Sequence, residues 1–216
     1  MPDDPETPYR VVEVVPERLA RWLAGYADRH GSSEVAARDD AVTLTASDGA
    51  RARVLVPVPP LPPSSDPLDT LVTHALAPRS VGAVLVRRGG WAVGLFAGRE
   101  LRVSKVGRSY VQGQTKAGGW SQQRYARRRA QQADQLYAAA ADAVADVLLP
   151  HVATLTSVVG GGDARGVAEV LADRRLAGLA ALLEPRVLPT VDPRLRVLAG
   201  FGDRLRSVRI ELNALA

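Results

Sequence analysis

The sequence predicts an α/β protein built on a mixed sheet with an antiparallel meander and packed helices. Three short strand patterns succeed one another in residues 80–108, separated by Gly89-Gly90 and by Gly98, as in a three-stranded meander. A long helical pattern comes next and stops at Pro150, and strand and helix patterns alternate behind it. Mixed strands and crossover helices indicate the α/β class. The 46% hydrophobic content of the 216 residues is ample for a packed core.

The residues before the meander predict a separate, smaller subdomain. Residues 1–8 are expected to be a disordered tail, Arg10–Val15 a strand and Pro16–His30 an amphipathic helix that begins at proline and ends before Gly31. The stretches AVTLTA and ARARVLVPV, on either side of Ser47-Asp48-Gly49, predict a hairpin. The proline-rich stretch PVPPLPPSSDP is typical of a stiff connection. We therefore expect an N-terminal α/β subdomain over 9–66 and a larger domain over 67–216.

The long helical pattern has a small apolar face and a basic face. Residues of the first kind recur at alternating steps of four and three, which places them on one side of a helix; they are Ala126, Ala130, Ala133, Tyr137, Ala140, Val144 and Val147. On the opposite side lie Arg124, Arg128, Gln131 and Gln135. The pattern predicts that the small residues pack on the sheet and that the basic side faces outward.

The last third of the chain predicts three further elements. VATLTSVV is expected to be a buried strand, GGGDARGVAEVLAD a turn and a helix, and SVRIEL a final strand. Gly160-Gly161-Gly162 before a helix start would suit an anion site, but Asp163 is explained more simply as a helix N-cap.

Positive charge is concentrated in one segment of the chain. Between Arg99 and Gln132 there are nine basic residues against a single acid, Glu100, whereas the remainder has 19 basic against 22 acidic residues. The nine are Arg99, Arg102, Lys105, Arg108, Lys116, Arg124, Arg127, Arg128 and Arg129. Such segregation favours a local anionic partner, most simply nucleic acid, although a solvated arginine face has the same composition.

Composition disfavours several other classes of protein. The chain has no cysteine, and its three histidines stand far apart, so neither disulfides nor zinc sites are expected. No window approaches the roughly 18 apolar residues of a membrane span, and the acidic start MPDDPETP does not resemble a secretory signal. We expect a cytoplasmic protein that needs no cofactor and is a monomer.

The stretch TKAGGWSQQRYARRRAQQ, residues 115–132, combines a glycine pair with amides and a run of arginines. A glycine pair permits a sharp loop tip, and Tyr110, Trp120 and Tyr125 among the cations suit stacking on exposed bases. The spacing of a phosphate-binding loop fails here because no Lys-Ser/Thr follows the last glycine. Ser121 lacks the flanking glycines of a hydrolase elbow. The loop also has no pair of acids for acid–base catalysis.

These residues resemble the Vms-like release factors of ribosome-associated quality control, in particular their actinobacterial branch. The similarity covers roughly Ser80 to Val147, where VLVRRGGWAVGLFAGRELRVSKVGRSYVQGQTKAGGWSQQ resembles the hairpin, strand and basic loop of that family, ending in a Gly-x-x-Gln motif. Family members look like the catalytic middle domain of the eukaryotic class-I release factor. The resemblance thus implies an RNase H-like, release-factor middle-domain architecture for the larger domain.

The resemblance also implies a set of site residues. Gly119-Trp120-Ser121-Gln122 supplies the motif, so Gln122 is the catalytic candidate, with Gly118 and Gly119 as the permissive backbone. Related proteins read Gly-Gly-Ser-Gln, whereas Trp120 here separates glycine from serine, so Gln123 stays an alternative. Gln122 is preferred because it also follows the serine. RNA contacts are expected from Lys105, Arg108, Lys116, Trp120, Arg124, Arg127, Arg128 and Arg129.

The function implied is hydrolysis of the peptidyl-tRNA ester of stalled chains on large ribosomal subunits. The partners would be the large subunit, its ribosomal RNA and peptidyl-tRNA, with no membrane involved. Two alternatives stay open from the sequence: a nuclease that cuts the tRNA near its CCA end, and a ribosome- or RNA-binding module without catalysis.

Overall fold

The structure is a computed structural model that describes residues 10–108 and 120–216, apart from the side chains of residues 120–126, 128 and 129. Its strands are β1 (Arg10–Val14), β2 (Ser33–Ala37), β3 (Ala41–Ala46), β4 (Arg51–Leu55), β5 (Ser80–Arg87), β6 (Gly90–Ala97), β7 (Glu100–Arg108), β8 (Leu155–Gly162), β9 (Leu183–Leu188) and β10 (Val208–Leu212). Its helices are α1 (Pro16–His30), α2 (Pro67–Leu76), α3 (Trp120–Leu148), α4 (Ala164–Leu171), α5 (Ala177–Ala180), α6 (Leu195–Ala199) and α7 (Gly202–Arg206).

The first compact unit consists of the chain up to Pro78 together with Arg206–Ala216. Its sheet has the strand order β1-β10-β4-β3-β2, with every neighbouring pair antiparallel. The predicted strand, helix and hairpin of the N-terminal part are confirmed as β1, α1 and the β3–β4 pair. β2 is an additional edge strand that the short segment SEVAA did not predict.

The compact units divide the chain elsewhere than the predicted border at residue 66. The proline-rich segment lies against the first unit, because Leu61 is buried in that unit's core and the His74 ring nitrogen Nε2 lies 3.0 Å from the Pro57 carbonyl oxygen. Leu71 of α2 belongs to the same core. The segment is therefore a packed part of the first unit rather than the connection between the two units.

The last strand also belongs to the first unit and not to the larger domain. β10 inserts between β1 and β4, where Ile210 pairs with Val12 and with Val54. Its alternating pattern predicts a strand but cannot say which sheet accepts it, since pairing is decided by contacts distant in sequence.

The second compact unit, Arg79–Leu205, has the sheet order β7-β6-β5-β8-β9. β5, β6 and β7 form the predicted antiparallel meander, and β8 and β9 add in parallel to β5. Helices α3 and α4 contribute to the core on one face of this sheet, and α6 and α7 to the core on the other. The mixed α/β class with an antiparallel meander and packed helices is confirmed.

Two predicted boundaries in this unit differ from the structure. The strand expected at 152–159 is β8, Leu155–Gly162, so the three glycines belong to the strand and not to a turn. A side chain at Gly161 would have its Cβ 2.4 Å from a Leu85 methyl group, which explains why glycine occupies this strand position. The expected N-cap is confirmed: the Asp163 carboxylate accepts a hydrogen bond from the Arg165 backbone N–H at 3.1 Å.

The end of β7 is held against β6 by a tryptophan over a glycine. Trp91 pairs with Gly107 across the two strands, and its indole occupies the space above Gly107, since a Cβ there would lie 2.4 Å from the ring. The same indole packs against the core that contains Leu136 and Ala140 of α3. Trp91 therefore connects the last residues of β7 to α3.

We predict that Ile210→Ala destabilises the first sheet selectively. Ile210 is fully buried, and truncating such a side chain costs about 2–5 kcal/mol. Hydrogen exchange should accelerate in β1 and β4 and stay unchanged in β5 and β8. Leu179→Ala, in the core of the second unit, should give the reverse pattern. Equal acceleration in both sheets after either substitution would contradict this assignment.

We predict that Gly107→Ala destabilises the second unit by about 1–3 kcal/mol, because the added methyl group overlaps the Trp91 ring. Urea unfolding measures the change. Gly178→Ala is the matched control, since its Cβ would meet only Val152 at 3.6 Å. Removing the ring as well, in Gly107→Ala/Trp91→Val, should recover part of the lost stability. A double variant that loses as much stability as the two single variants added together would disprove the contact.

Candidate functional site

The predicted site spans the connection between β7 and α3. β7 ends at Arg108 and α3 begins at Trp120, and both elements are described by their backbones. Lys116, Gly118 and Gly119 lie outside the described residues, as does Tyr110. Their predicted roles therefore remain predictions.

The motif glutamines fall in the first turn of α3. The helix begins at Trp120, so Gln122 and Gln123 are its third and fourth residues and directly follow the glycine pair in sequence. Consecutive helix positions lie about 100° apart around the axis. The two glutamines therefore lie on different sides of the helix axis and are not interchangeable.

A helix start is also an electrostatic feature. The first backbone N–H groups of a helix have no partner within the helix, and the helix dipole makes this end partly positive. The first turn of α3 contains no acidic residue. The backbone at Gln122 and Gln123 is thus suited to a neighbouring negative charge.

The first half of α3 extends beyond the sheet. Leu136 is the first buried residue of the helix among those whose side chains are described, and Ala130 and Gln131 are exposed. Tyr137 lies over Gly166 in the first turn of α4, which marks the level of the sheet edge. From Trp120 to this level the helix is about 25 Å long. α3 therefore carries the motif well away from the core.

This extension corrects one prediction about the small face of the helix. Ala140, Val144 and Val147 are buried on the sheet as predicted, but Ala130 is exposed. The helical spacing continues past the point where there is a sheet to cover it. On the other side of the helix, Gln131 and Gln135 are exposed as expected.

Tyr137 closes the packing between α3 and α4. Burial raises the pKa of its phenol above the ordinary value, and the charge of Asp163 raises it further. The side chain serves the packing at the base of the extended helix.

The described cations of the predicted RNA surface differ in how they are engaged. The Lys105 ammonium lies 2.6 Å from the Asp146 carboxylate of α3, so it is paired on the flank of the sheet. Arg108 and Arg127 are exposed and form no ion pair or hydrogen bond with the described residues. Side chains of Trp120, Gln122, Gln123, Arg124, Arg128 and Arg129 lie outside the description, although their backbones belong to α3.

Sequence reasoning missed Trp91, which supports both ends of the site through Gly107 and α3. The available signal was a glycine inside the otherwise regular strand β7, since an interior strand glycine often marks a close approach by another group. Its partner was not visible in the sequence because the register of β6 and β7 decides it.

Apart from the predicted site, the described residues show a cavity but no cluster of metal ligands. Among residues 10–108 and 120–216, no three His, Asp or Glu side chains converge as metal ligands do. A cavity of about 350 Å³ lies beside α6 and α7, on the sheet face away from α3; its lining is Pro189, Thr190, Val191, Val197, Gly200, Phe201 and Arg204. No helix in the described ranges is long and apolar enough to cross a membrane.

Several solved structures are similar to this chain at low sequence identity. An archaeal translation termination factor, aRF1, is 16% identical with a TM-score of 0.46, covering 90% of this chain and 64% of its own. The Vms1 mitochondrial localization core is 10% identical with a TM-score of 0.45, covering 89% and 80%. Dom34 from S. cerevisiae, described as a translation termination-like factor, is 10% identical with a TM-score of 0.37, covering 88% and 62%. No curated protein matches this sequence.

A protein-family model matches residues 79–211, which is more than half of the chain and includes the meander, the β7–α3 connection and α3. The model describes the Actinobacteria/chloroflexi VLRF1 release factors. The matched range contains all the residues of the predicted site. The chain belongs to this release factor family.

Proposed function

We propose that the protein hydrolyses the ester of peptidyl-tRNA on large ribosomal subunits that hold stalled chains. The observation that carries the proposal is the position of Gln122 and Gln123 in the first turn of a helix that extends beyond the sheet. A narrow, extended tip is what a reaction centre deep inside a ribosomal cavity requires. Membership of a release factor family supports the same reaction.

The chemistry requires a water molecule held against the ester carbonyl. A carboxamide both donates and accepts hydrogen bonds at neutral pH, so Gln122 can orient water without ionising. Correct positioning alone can contribute roughly 7–11 kcal/mol in favourable cases. Backbone N–H groups at the helix start are suited to stabilise the oxyanion as it develops. Ribosomal RNA and the tRNA end would complete the site, so the proposal includes no cofactor.

RNA binding would come from the cations around the tip. Arg127 is exposed on the extended part of α3, and Arg108 is exposed at the end of β7. Arg124, Arg128, Arg129 and Lys116 would add to this surface, with Trp120 as a stacking residue. Lys105 has a weaker claim because Asp146 already neutralises it. The cytoplasm is the compartment in which these partners are available.

We predict that Gln122→Ala lowers peptide release roughly 100-fold, the loss typical of removing one transition-state hydrogen-bond group. The assay measures labelled peptide released from peptidyl-tRNA on isolated large subunits. Gln123→Ala is the matched control, one residue away in the same turn, and should leave the rate within a few-fold of wild type.

Three outcomes of this assay would revise the proposal. Loss of release in Gln123→Ala alone transfers the catalytic role to that residue. Unchanged release in both variants contradicts catalysis by either glutamine. Release of tRNA without an intact CCA end identifies cleavage of RNA in place of ester hydrolysis.

We predict that Arg127→Glu weakens binding to large subunits more than Arg165→Glu, which reverses a similarly exposed arginine on α4. Each lost phosphate contact should reduce the salt dependence of the association constant by about 0.7 log units per log unit of salt. Fluorescence anisotropy at several salt concentrations measures both quantities. Equal effects of the two reversals would show that net charge alone is responsible and would disprove a specific contact by Arg127.

A further inference from the structure

The strand topology divides the arginines of the second unit between the two ends of its strands. β5 ends, β6 begins and β7 ends at the same end of the strands, from which the chain continues to the motif. We call this end of the sheet the motif edge. The turn Arg88-Gly89 lies at this motif edge, whereas the turn Gly98-Arg99 lies at the other end of β6. The eight residues of β6 separate the two turns by about 26 Å.

This division does not follow the basic segment of the sequence. Arg99 and Arg102 belong to that segment but lie at the far end of the meander, and both have acidic neighbours. The Arg102 guanidinium is 2.7 Å from Glu100, and that of Arg99 is 4.0 Å from Asp203. Arg87 and Arg88 precede the segment in sequence and lie at the motif edge.

At the motif edge, two arginines flank a glycine in one row across three strands. Arg87 pairs with Gly90, and Gly90 pairs with Arg108. With strands about 4.8 Å apart, the Cα atoms of the two arginines are separated by about 10 Å. Gly90 contributes no side chain between them, but it is buried, with the Pro193 carbonyl oxygen 3.8 Å and the Arg108 Cγ atom 3.9 Å from the position of a Cβ on it. The exposed parts of the row are therefore its two arginines.

Both arginines lie on the face away from α3. Arg87 is two residues beyond Leu85, and Leu85 belongs to the core under α6 and α7. Alternate strand residues share a face. Arg108 is two residues beyond Val106, whose cross-strand partner Ala92 belongs to the same core.

The charges of this row are largely uncompensated within the described residues. Arg87, Arg88 and Arg108 are exposed. Of the three, Arg87 alone has a polar partner in the described part of the chain, a hydrogen bond from Nη1 to the Thr190 carbonyl oxygen at 2.5 Å. A guanidinium has five N–H donors, so most of this one stays available. The nearby Asp163 carboxylate accepts the Arg165 backbone N–H as an N-cap.

We infer that Arg87, on the sheet face opposite α3, and Arg88, in the adjoining turn, join Arg108 in a phosphate-binding surface for RNA at the motif edge. The row would hold the RNA backbone beside the root of the motif while the tip of α3 reaches the ester. Arginine suits this task because its planar donors bind phosphate oxygens in pairs. The identification of the anion as RNA rests on the proposed function. The phosphate-binding role of Arg87 and Arg88 is new, because both lie outside the basic segment of the sequence.

The test compares arginines at the two edges of the same sheet. Arg88→Glu and Arg99→Glu change the same charge in two matching hairpin turns, and Arg87→Glu/Arg88→Glu is compared with Arg99→Glu/Arg102→Glu. Binding to isolated large ribosomal subunits is measured by anisotropy across a salt series. We expect Arg88→Glu to weaken binding at least fivefold and to lower the salt slope by about 0.7 per lost contact, and Arg99→Glu to stay within twofold of wild type.

Two results would overturn the inference: unchanged binding in Arg88→Glu, or equal weakening in variants of both edges. Thermal unfolding of every variant identifies loss of fold, and Arg88→Glu keeps the test decisive if Arg87→Glu disturbs the Thr190 contact. Peptide release by wild type and Gln122→Ala separates this test from the proposed function, since absence of release leaves the binding comparison intact.

Discussion

The packing of the second half of α3 on the meander is the interaction on which the rest of the structure depends. Ala140, Val144 and Val147 are buried against the sheet, and their small size lets the helix lie close to β6 and β7. A helix anchored along half its length can extend the other half into solvent without losing its direction, because each further turn continues the same hydrogen-bond ladder. The extended half carries the motif.

The anchor and the tip make opposite demands on sequence. The anchored half needs small apolar residues on one face, whereas the extended half needs polar side chains that water can solvate. Arginines and glutamines in its sequence satisfy the second demand. Trp91 joins the two parts, since its indole contacts both the α3 core and the end of β7 at Gly107.

Electrostatics in this unit follow tertiary position more closely than sequence position. Lys105 belongs to the basic segment but is paired with Asp146, while Arg88 lies outside the segment and is exposed at the end of the strands from which the chain continues to the motif. From Arg87 the chain turns, runs along β6, turns again and returns along β7, so Arg108, 21 positions later in the sequence, lies at the same end of the strands. A count of charges along the chain therefore mixes residues from both ends of the sheet.

Much of the fold, and the family, could be predicted from the sequence alone. Alternating strand patterns, helical spacing and glycine positions are local signals, and they correctly predicted β1, α1, the β3–β4 hairpin, the meander and α3. The Gly-x-x-Gln stretch carried the family resemblance, and the family is confirmed over residues 79–211. The tertiary structure decided which sheet accepts β10 and that α2 and the proline-rich segment belong to the first unit. It also decided how far α3 extends beyond the sheet and which arginines lie at the motif edge. Those properties depend on strand pairing and on burial between residues distant in the chain, which no local pattern encodes.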